Sequence, residues 1–168
     1  MIVQFTMAAR IRESSVDGVG IRYVVFVQGC PRYCDGCHNP DTLPFEGGTL
    51  TTVDDLLREI QSDPLLSGVT LSGGEPLAQA KAMATLANGV KALGLTVWVY
   101  TGYVWEDIVR SDNADWHALL AHTDVLVDGP FEKERHVYGL LFKGSHNQRL
   151  IHVPESLTAG TVVLWERT

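Results

Sequence analysis

Two hydrophobic rhythms alternate along this chain. Short runs rich in β-branched and aromatic side chains occur at "IRYVVFVQ" (21–28), "SGVTLS" (67–72), "LTVWVYTG" (95–102) and "DVLVDG" (124–129). Runs of that length and composition predict strands. Between them the period lengthens to that of a helix. "TTVDDLLREI" (51–60) sets Val53, Leu56, Leu57 and Ile60 at helical spacing, with Thr52 as the N-cap and Asp55 three residues on. "LAQAKAMATLANGVKAL" (77–93) puts Met83, Leu86, Val90 and Leu93 on one face, and Gly94 follows where a C-terminal glycine belongs. Shorter helices are expected at "WEDIV" and "ADWHALLAH". Apolar strands alternating with helices predict βαβ units, hence an α/β fold with a mostly parallel sheet. After residue 130 the rhythm weakens. "PFEKERHVYG" and "KGSHNQR" read as ordered loop, and "RLIHV" and "GTVVLWE" as closing strands. No repeat or interdomain linker interrupts the pattern, and 168 residues make a single domain over 1–168 the simplest reading.

Each unusual loop follows a strand: "GCPRYCDGCHNP" the first, "GGEP" (73–76) the second, "TGY" (101–103) the third and "DGP" (128–130) the fourth. In parallel α/β proteins such loops meet at the C-terminal edge of the sheet, where ligands bind. Four loops are therefore expected to build one site.

Composition narrows the setting. The chain is 45% hydrophobic and 20% charged, as ordinary globular proteins are. A net charge of −7 argues against nucleic acid, which needs clustered Lys and Arg. No apolar run approaches the roughly 20 residues that span a bilayer, and "MIVQFTMAAR" is too short and polar for a signal peptide. The expectation is a soluble protein of the reducing cytoplasm, bound neither to membrane nor to nucleic acid.

The three cysteines, Cys30, Cys34 and Cys37, all lie in the first loop as C-x3-C-x2-C. Their odd number and close spacing oppose a disulfide scaffold. Buried structural cysteines would be scattered on strands and helices rather than gathered within one loop beside Pro31, Asp35 and Gly36. Two metal readings stay open. Zinc would take His38 as a fourth ligand, although adjacent Cys37 and His38 would both have to turn to one ion. Alternatively, an iron–sulfur cluster held by three thiolates keeps one iron open, as catalytic metals keep a position free. The amine and carboxylate of an amino-acid cofactor such as S-adenosyl-L-methionine suit that open iron.

C-x3-C-x2-C after one strand and Gly-Gly-Glu-Pro after the next resemble the radical SAM enzymes. "VDGVGIRYVVFVQGCPRYCDGCHNPDT" (16–42) is similar to the opening of the activases of glycyl-radical enzymes, and "VLVDGPF" and "KGSHNQRLI" to those that activate anaerobic ribonucleoside-triphosphate reductases. Two positions depart from the pattern. Gly36 stands where an aromatic residue usually precedes the third cysteine, which leaves the ring of His38 to stack on adenine. Val19 stands where proline is expected in the "VDG-x-GIR" loop.

The resemblance implies a compact partial (β/α) barrel of the radical SAM type, with a mostly parallel sheet and its cofactor loops at the C-terminal strand edge. It implies a [4Fe–4S] cluster on Cys30, Cys34 and Cys37 and a methionyl amino group at Ser72, Gly73, Gly74 and Glu75. Backbone groups of Gly36 and His38 would meet the adenine, and Thr101 and Asp128 the ribose or methionine, unless those two cap turns. At Gly74 a positive φ is expected, with any Cβ intruding on the ligand. The implied activity is reductive cleavage of S-adenosyl-L-methionine to a 5′-deoxyadenosyl radical, which converts a glycine of the partner reductase to a glycyl radical. The implied electron donor is a flavodoxin or ferredoxin. Rival readings are an activase of the pyruvate formate-lyase type, a small-molecule radical SAM synthase, and a zinc-binding or electron-carrying module without catalysis.

Overall fold

A computed structural model describes residues 1–167. Seven strands form one sheet: β1 (Gln4–Ser14), β2 (Arg22–Val27), β3 (Thr49–Thr52), β4 (Gly68–Gly73), β5 (Thr96–Tyr100), β6 (Val125–Asp128) and β7 (Arg149–His152). Their spatial order is β3-β1-β2-β4-β5-β6-β7, so the edges β3 and β7 do not pair and the barrel stays open. The run β2-β4-β5-β6 is parallel, whereas β1 lies antiparallel to β2 and β3, and β7 antiparallel to β6. This is the α/β class and mostly parallel sheet that the apolar runs predict.

Helices α1 (Val53–Gln61), α2 (Ala80–Ala92), α3 (Trp105–Arg110), α4 (Ala114–Ala121) and α5 (Val153–Ala159) complete the fold. Thr52 caps α1 by accepting the Asp55 amide at 3.1 Å, and Gly94 ends α2 with φ +80°. Two strands and a helix escape the sequence reading. β1 opens with buried Phe5 and Met7 but continues exposed through "ARIRE", so it shows no sustained apolar run. β3 is a four-residue edge strand with Leu50 in solvent, and α5 is a short helix started by Pro154. Conversely, "GTVVLWE" is no strand. It touches β7 through one isolated bridge, Ile151 to Leu164.

The sheet has two different faces. One face buries Val25, Val27, Val69, Leu71, Val97, Val99 and Leu126 against Leu56 and Ile60 of α1 and Met83, Leu86 and Val90 of α2. Each such Val or Leu contributes about 1.5–3 kcal/mol by leaving water. The other face carries a small second cluster of Trp98, Val125 and Val127, which packs with Tyr100, Phe142, Leu150 and Trp165. Period-2 alternation within each strand separates the two sets.

Arg22 plugs the lower end of that inner face, 1% exposed. Its Nε donates to Thr70 Oγ1 at 2.8 Å, Nη1 to Val19 O and Thr96 Oγ1, and Nη2 to Val69 O and Thr96 O, which uses all five donors. Burial pushes its pKa down to about 10, which leaves it charged at neutral pH. Val19 contributes only its carbonyl to this knot, and proline would supply the same group.

Candidate active site

The cysteine loop leaves β2 through Gly29, whose φ of +99° belongs to glycine. Its base is closed by Gly29 N–H to Thr42 O (2.7 Å), Cys30 N–H to Leu43 O (2.9 Å) and Gln28 Nε2 to Pro44 O (2.6 Å). Pro40–Thr42 forms one 3-10 turn, and Thr42 Oγ1 donates to Asn39 O at 2.6 Å. The Asn39 amide donates to Cys37 Sγ at 3.4 Å. Tyr33, between the first two cysteines, is held at φ +47°, an uncommon conformation for a residue with a side chain. No thiol is in a disulfide; Cys30 is buried and Cys34 and Cys37 are half-buried. Burial raises the Cys30 thiol above its ordinary range, against the amides of Arg32 and Tyr33 that lower it. A metal's charge would reverse that balance and release the proton.

"GGEP" is welded to this loop. Gly74 N–H donates to Val27 O and Glu75 N–H to Gly29 O, both at 2.8 Å. The positive φ lies at Gly73 (+97°), where a Cβ would stand 2.5 Å from the Val27 amide nitrogen. Gly74 has no positive φ, which corrects the expectation of one there, and its Cβ would meet Gly29 O at 2.2 Å, so contact between two loops constrains this position.

Glu75 is 1% exposed. Its Oε1 accepts from Gly102 N–H at 2.7 Å, and Oε2 accepts from Leu77 N–H at 3.0 Å and Thr101 Oγ1 at 2.9 Å. A carboxylate accepts about four hydrogen bonds, so about one position is left. Burial raises the Glu75 carboxyl above the usual carboxylate range, with these donors and Arg32 pulling the other way. Thr101 is thereby committed to orienting Glu75, and its oxygen also accepts the Tyr103 amide at 3.1 Å.

Cys30, Cys34, Cys37, His38, Ser72, Gly73, Gly74, Glu75 and Thr101 line one cavity of about 440 Å³. That volume lies within the range of about 300–1,000 Å³ usual for cofactor sites. Gly36 lies beside it, with φ +72° and its Cα facing Phe131 and Lys133. Asp128 stands outside. Its carboxylate caps α3 by accepting Trp105 N–H at 2.8 Å and pairs with Arg149 at 2.5 Å, which makes it a structural anchor. A cap on the following turn is found at Thr101, which accepts the Tyr103 amide, whereas Asp128 caps α3, which precedes it in the chain.

The fourth wall is the segment 129–148, which sequence patterning reads only as loop. Phe131, Leu140, Phe142, Lys143 and Gln148 all face the cavity. "HNQ" explains its order. Asn147 Nδ2 donates to Pro130 O at 2.7 Å, and Gln148 donates to Gly129 O at 3.0 Å while accepting the Gly144 amide at 2.8 Å. Tyr100 Oη donates to Phe142 O at 2.7 Å, which fixes Phe142 at φ +62°. In the sequence this wall is signalled by the motifs "VLVDGPF" and "KGSHNQRLI", not by any hydrophobic period.

The donor set fits a cluster better than a single ion. Four-coordinate zinc at about 2.3 Å per sulfur draws its thiolates within about 4 Å of one another. Among the described residues no three His, Cys, Asp or Glu side chains converge in that way. His38 does not turn to the thiols. Its ring packs on Phe131 at 4.7 Å and on His136 at 5.3 Å. Three free thiols on one cavity wall, with the His38 ring packed on Phe131 and His136, suit a cluster that keeps one metal open.

The 4Fe-4S single cluster domain family matches residues 16–151. The anaerobic ribonucleoside-triphosphate reductase-activating protein of Enterobacteria phage T4 is 37% identical over 142 residues, covering 80% of this chain and 86% of that one. Its counterpart in Vibrio cholerae is 35% identical, over 82% and 90%. The pyruvate formate-lyase-activating enzyme of Staphylococcus aureus is 31% identical over 161 residues, 91% of this chain but 63% of its own length. Among solved structures, QueE from Escherichia coli aligns over 59% of this chain and 53% of its own, with a TM-score of 0.47 and 19% identity.

Proposed function

The chain belongs to the family of anaerobic ribonucleoside-triphosphate reductase-activating proteins, and on that premise we propose that it converts such a reductase to its glycyl-radical form. A [4Fe–4S] cluster held in this cavity would supply the low-potential electron for reductive cleavage of S-adenosyl-L-methionine, the chemistry by which a hydrogen atom would be removed from a glycine Cα of the reductase. Cys30, Cys34 and Cys37 would hold the cluster as thiolates. Glu75, oriented by Thr101 and Gly102, receives the α-ammonium at its remaining acceptor position. Ser72, Gly73 and Gly74 give that end of the cavity its backbone shape. Backbone groups of Gly36 and His38 lie toward the adenine. Phe131, Leu140 and Phe142 keep water from the reacting carbon.

The observation that carries this reading is the meeting of three free thiols and "GGEP" on one cavity wall, joined through Glu75 N–H and Gly29 O. The electron comes from a flavodoxin or ferredoxin-type donor in the cytoplasm, and neither membrane nor nucleic acid takes part. No helix among the described residues is long and apolar enough to cross a membrane.

Anaerobic reconstitution with iron and sulfide tests the reading. The protein should bind about four irons and, once reduced, release 5′-deoxyadenosine from S-adenosyl-L-methionine. It should also raise a glycyl-radical EPR signal on an anaerobic reductase. Replacing Cys30, Cys34 or Cys37 by Ala should abolish all three results. Full iron content in any of these variants would mean another ligand set. A pyruvate formate-lyase partner is the second reading, from the Staphylococcus aureus match. A radical raised on that enzyme and not on the reductase would favour it.

A further inference from the structure

We propose that Arg32 is the carboxylate-binding residue of the cavity, receiving the α-carboxylate of the S-adenosyl-L-methionine whose α-ammonium lies at Glu75. The proposal rests on the cofactor assignment above and adds a residue to it.

Arg32 projects from the cysteine loop into the cavity lining. Its guanidinium lies over the Tyr103 ring, 4.9 Å from the centroid. Its stem lies against Gly102, where a Cβ would stand 2.5 Å from the Arg32 Cδ and 3.5 Å from Glu75 Oε1. The side chain is thus held beside Glu75, yet among the described residues it makes no salt bridge and no hydrogen bond to an acceptor. Glu75 accepts from Leu77, Thr101 and Gly102 and keeps about one acceptor position, which Arg32 does not occupy. Arg32 is exposed, so water serves its fork, and a planar anion entering the cavity would take the place of that water.

The chemistry of the ligand selects Arg32 over the other cation on the wall. An α-ammonium and an α-carboxylate share one carbon, so their subsites must be neighbours. Arg32 adjoins Glu75 across Gly102. Lys143 belongs to the 129–148 segment and donates to Gln148 O at 3.2 Å. Arg32 and Glu75 together would read an amino acid as a zwitterion, each taking the charge that the other repels.

Equilibrium binding of two ligands to the anaerobically reconstituted full chain tests this: S-adenosyl-L-methionine and its decarboxylated analogue. Arg32→Gln should weaken S-adenosyl-L-methionine about tenfold, as expected for a charged hydrogen-bonded contact, and leave the analogue within about twofold. Other contacts of the carboxylate are common to both proteins, so the ratio isolates Arg32. If Arg32→Gln does not hold the cluster, Arg32→Lys carries the test, with a smaller loss again confined to the carboxylate-bearing ligand. Equal weakening of both ligands, no weakening, or a selective loss in Lys143→Gln instead would overturn the proposal. A wild-type protein that binds neither ligand would overturn the cofactor assignment itself. Wild-type binding that Arg32→Gln leaves intact would overturn Arg32 alone.

Discussion

At the scale of single residues, the site is governed by where backbone leaves no room and where charge is buried. Gly74→Ala drives a Cβ to within 2.2 Å of Gly29 O, a backbone atom that cannot swing aside. The variant should therefore lose cluster content as well as cofactor binding, since Gly29 is the hinge of the cysteine loop. Iron and sulfide analysis after reconstitution checks this, and full occupancy would return Gly74 to a role at the ligand alone. Glu75 makes a pH prediction. Its carboxyl is raised above the ordinary 4.5 by burial, so the folded state holds a proton that the unfolded chain has released. The contribution to stability is complete below the unfolded value and is lost as pH rises through the folded one. Glu75→Gln removes this dependence. The melting temperature of the cluster-free variant relative to wild type should rise with pH from about 4.5 upward, then level off. A constant difference would mean that Glu75 is ionised throughout.

At the scale of elements, loops and strands are tied by few groups, each of which closes a long span of chain. Arg22 joins the "VDGVG" loop to the starts of β4 and β5 through five hydrogen bonds. Lysine offers three donors from a point rather than a fork, so Arg22→Lys strands buried acceptors at Val69 and Thr96. The expected cost is on the order of 3 kcal/mol, or a fall of about 6–12 °C in melting temperature. A fall under about 2 °C would show that water takes over these acceptors. The main elements were legible beforehand because their signals are local: a capping threonine, a C-terminal glycine, an apolar run bounded by turn residues. β1 and β3 were not, because their strand character comes from pairing. Gln4 to Met7 find partners at Thr49 to Thr52, more than forty residues on.

At the scale of the whole molecule, an open sheet must cover its inner face with something other than further strands. Here the 129–148 segment and the C-terminal stretch do so. Trp165 packs edge-on against Trp98 at 5.3 Å and Phe142 at 6.2 Å, and its amide donates to Leu150 O at 2.8 Å. Trp165→Ala should cost about 2–3 kcal/mol, somewhat less than for a fully buried tryptophan. It should also loosen Phe142 and so the cavity wall, weakening cofactor binding. Thermal melts together with near-UV circular dichroism of the aromatic cluster check both effects. Unchanged stability would mean that Phe142 alone covers Trp98.

What the sequence determined by itself was the parallel sheet and a thiolate metal loop beside a glycine-rich turn; the cluster came from the family resemblance of those motifs. Apolar runs, three closely spaced thiols and a glycine-rich turn after a strand are short-range patterns, carried within about a dozen residues. Tertiary structure decided what each group in the site is free to do. Asp128 is consumed by Trp105 and Arg149, and Thr101 by a carboxylate 26 residues away. Gly74 is constrained by the cysteine loop, while Arg32 and the 129–148 segment are brought to the cavity. The reason is physical: a polar side chain's role depends on which partners remain to satisfy it, and those partners arrive from distant parts of the chain only when it folds.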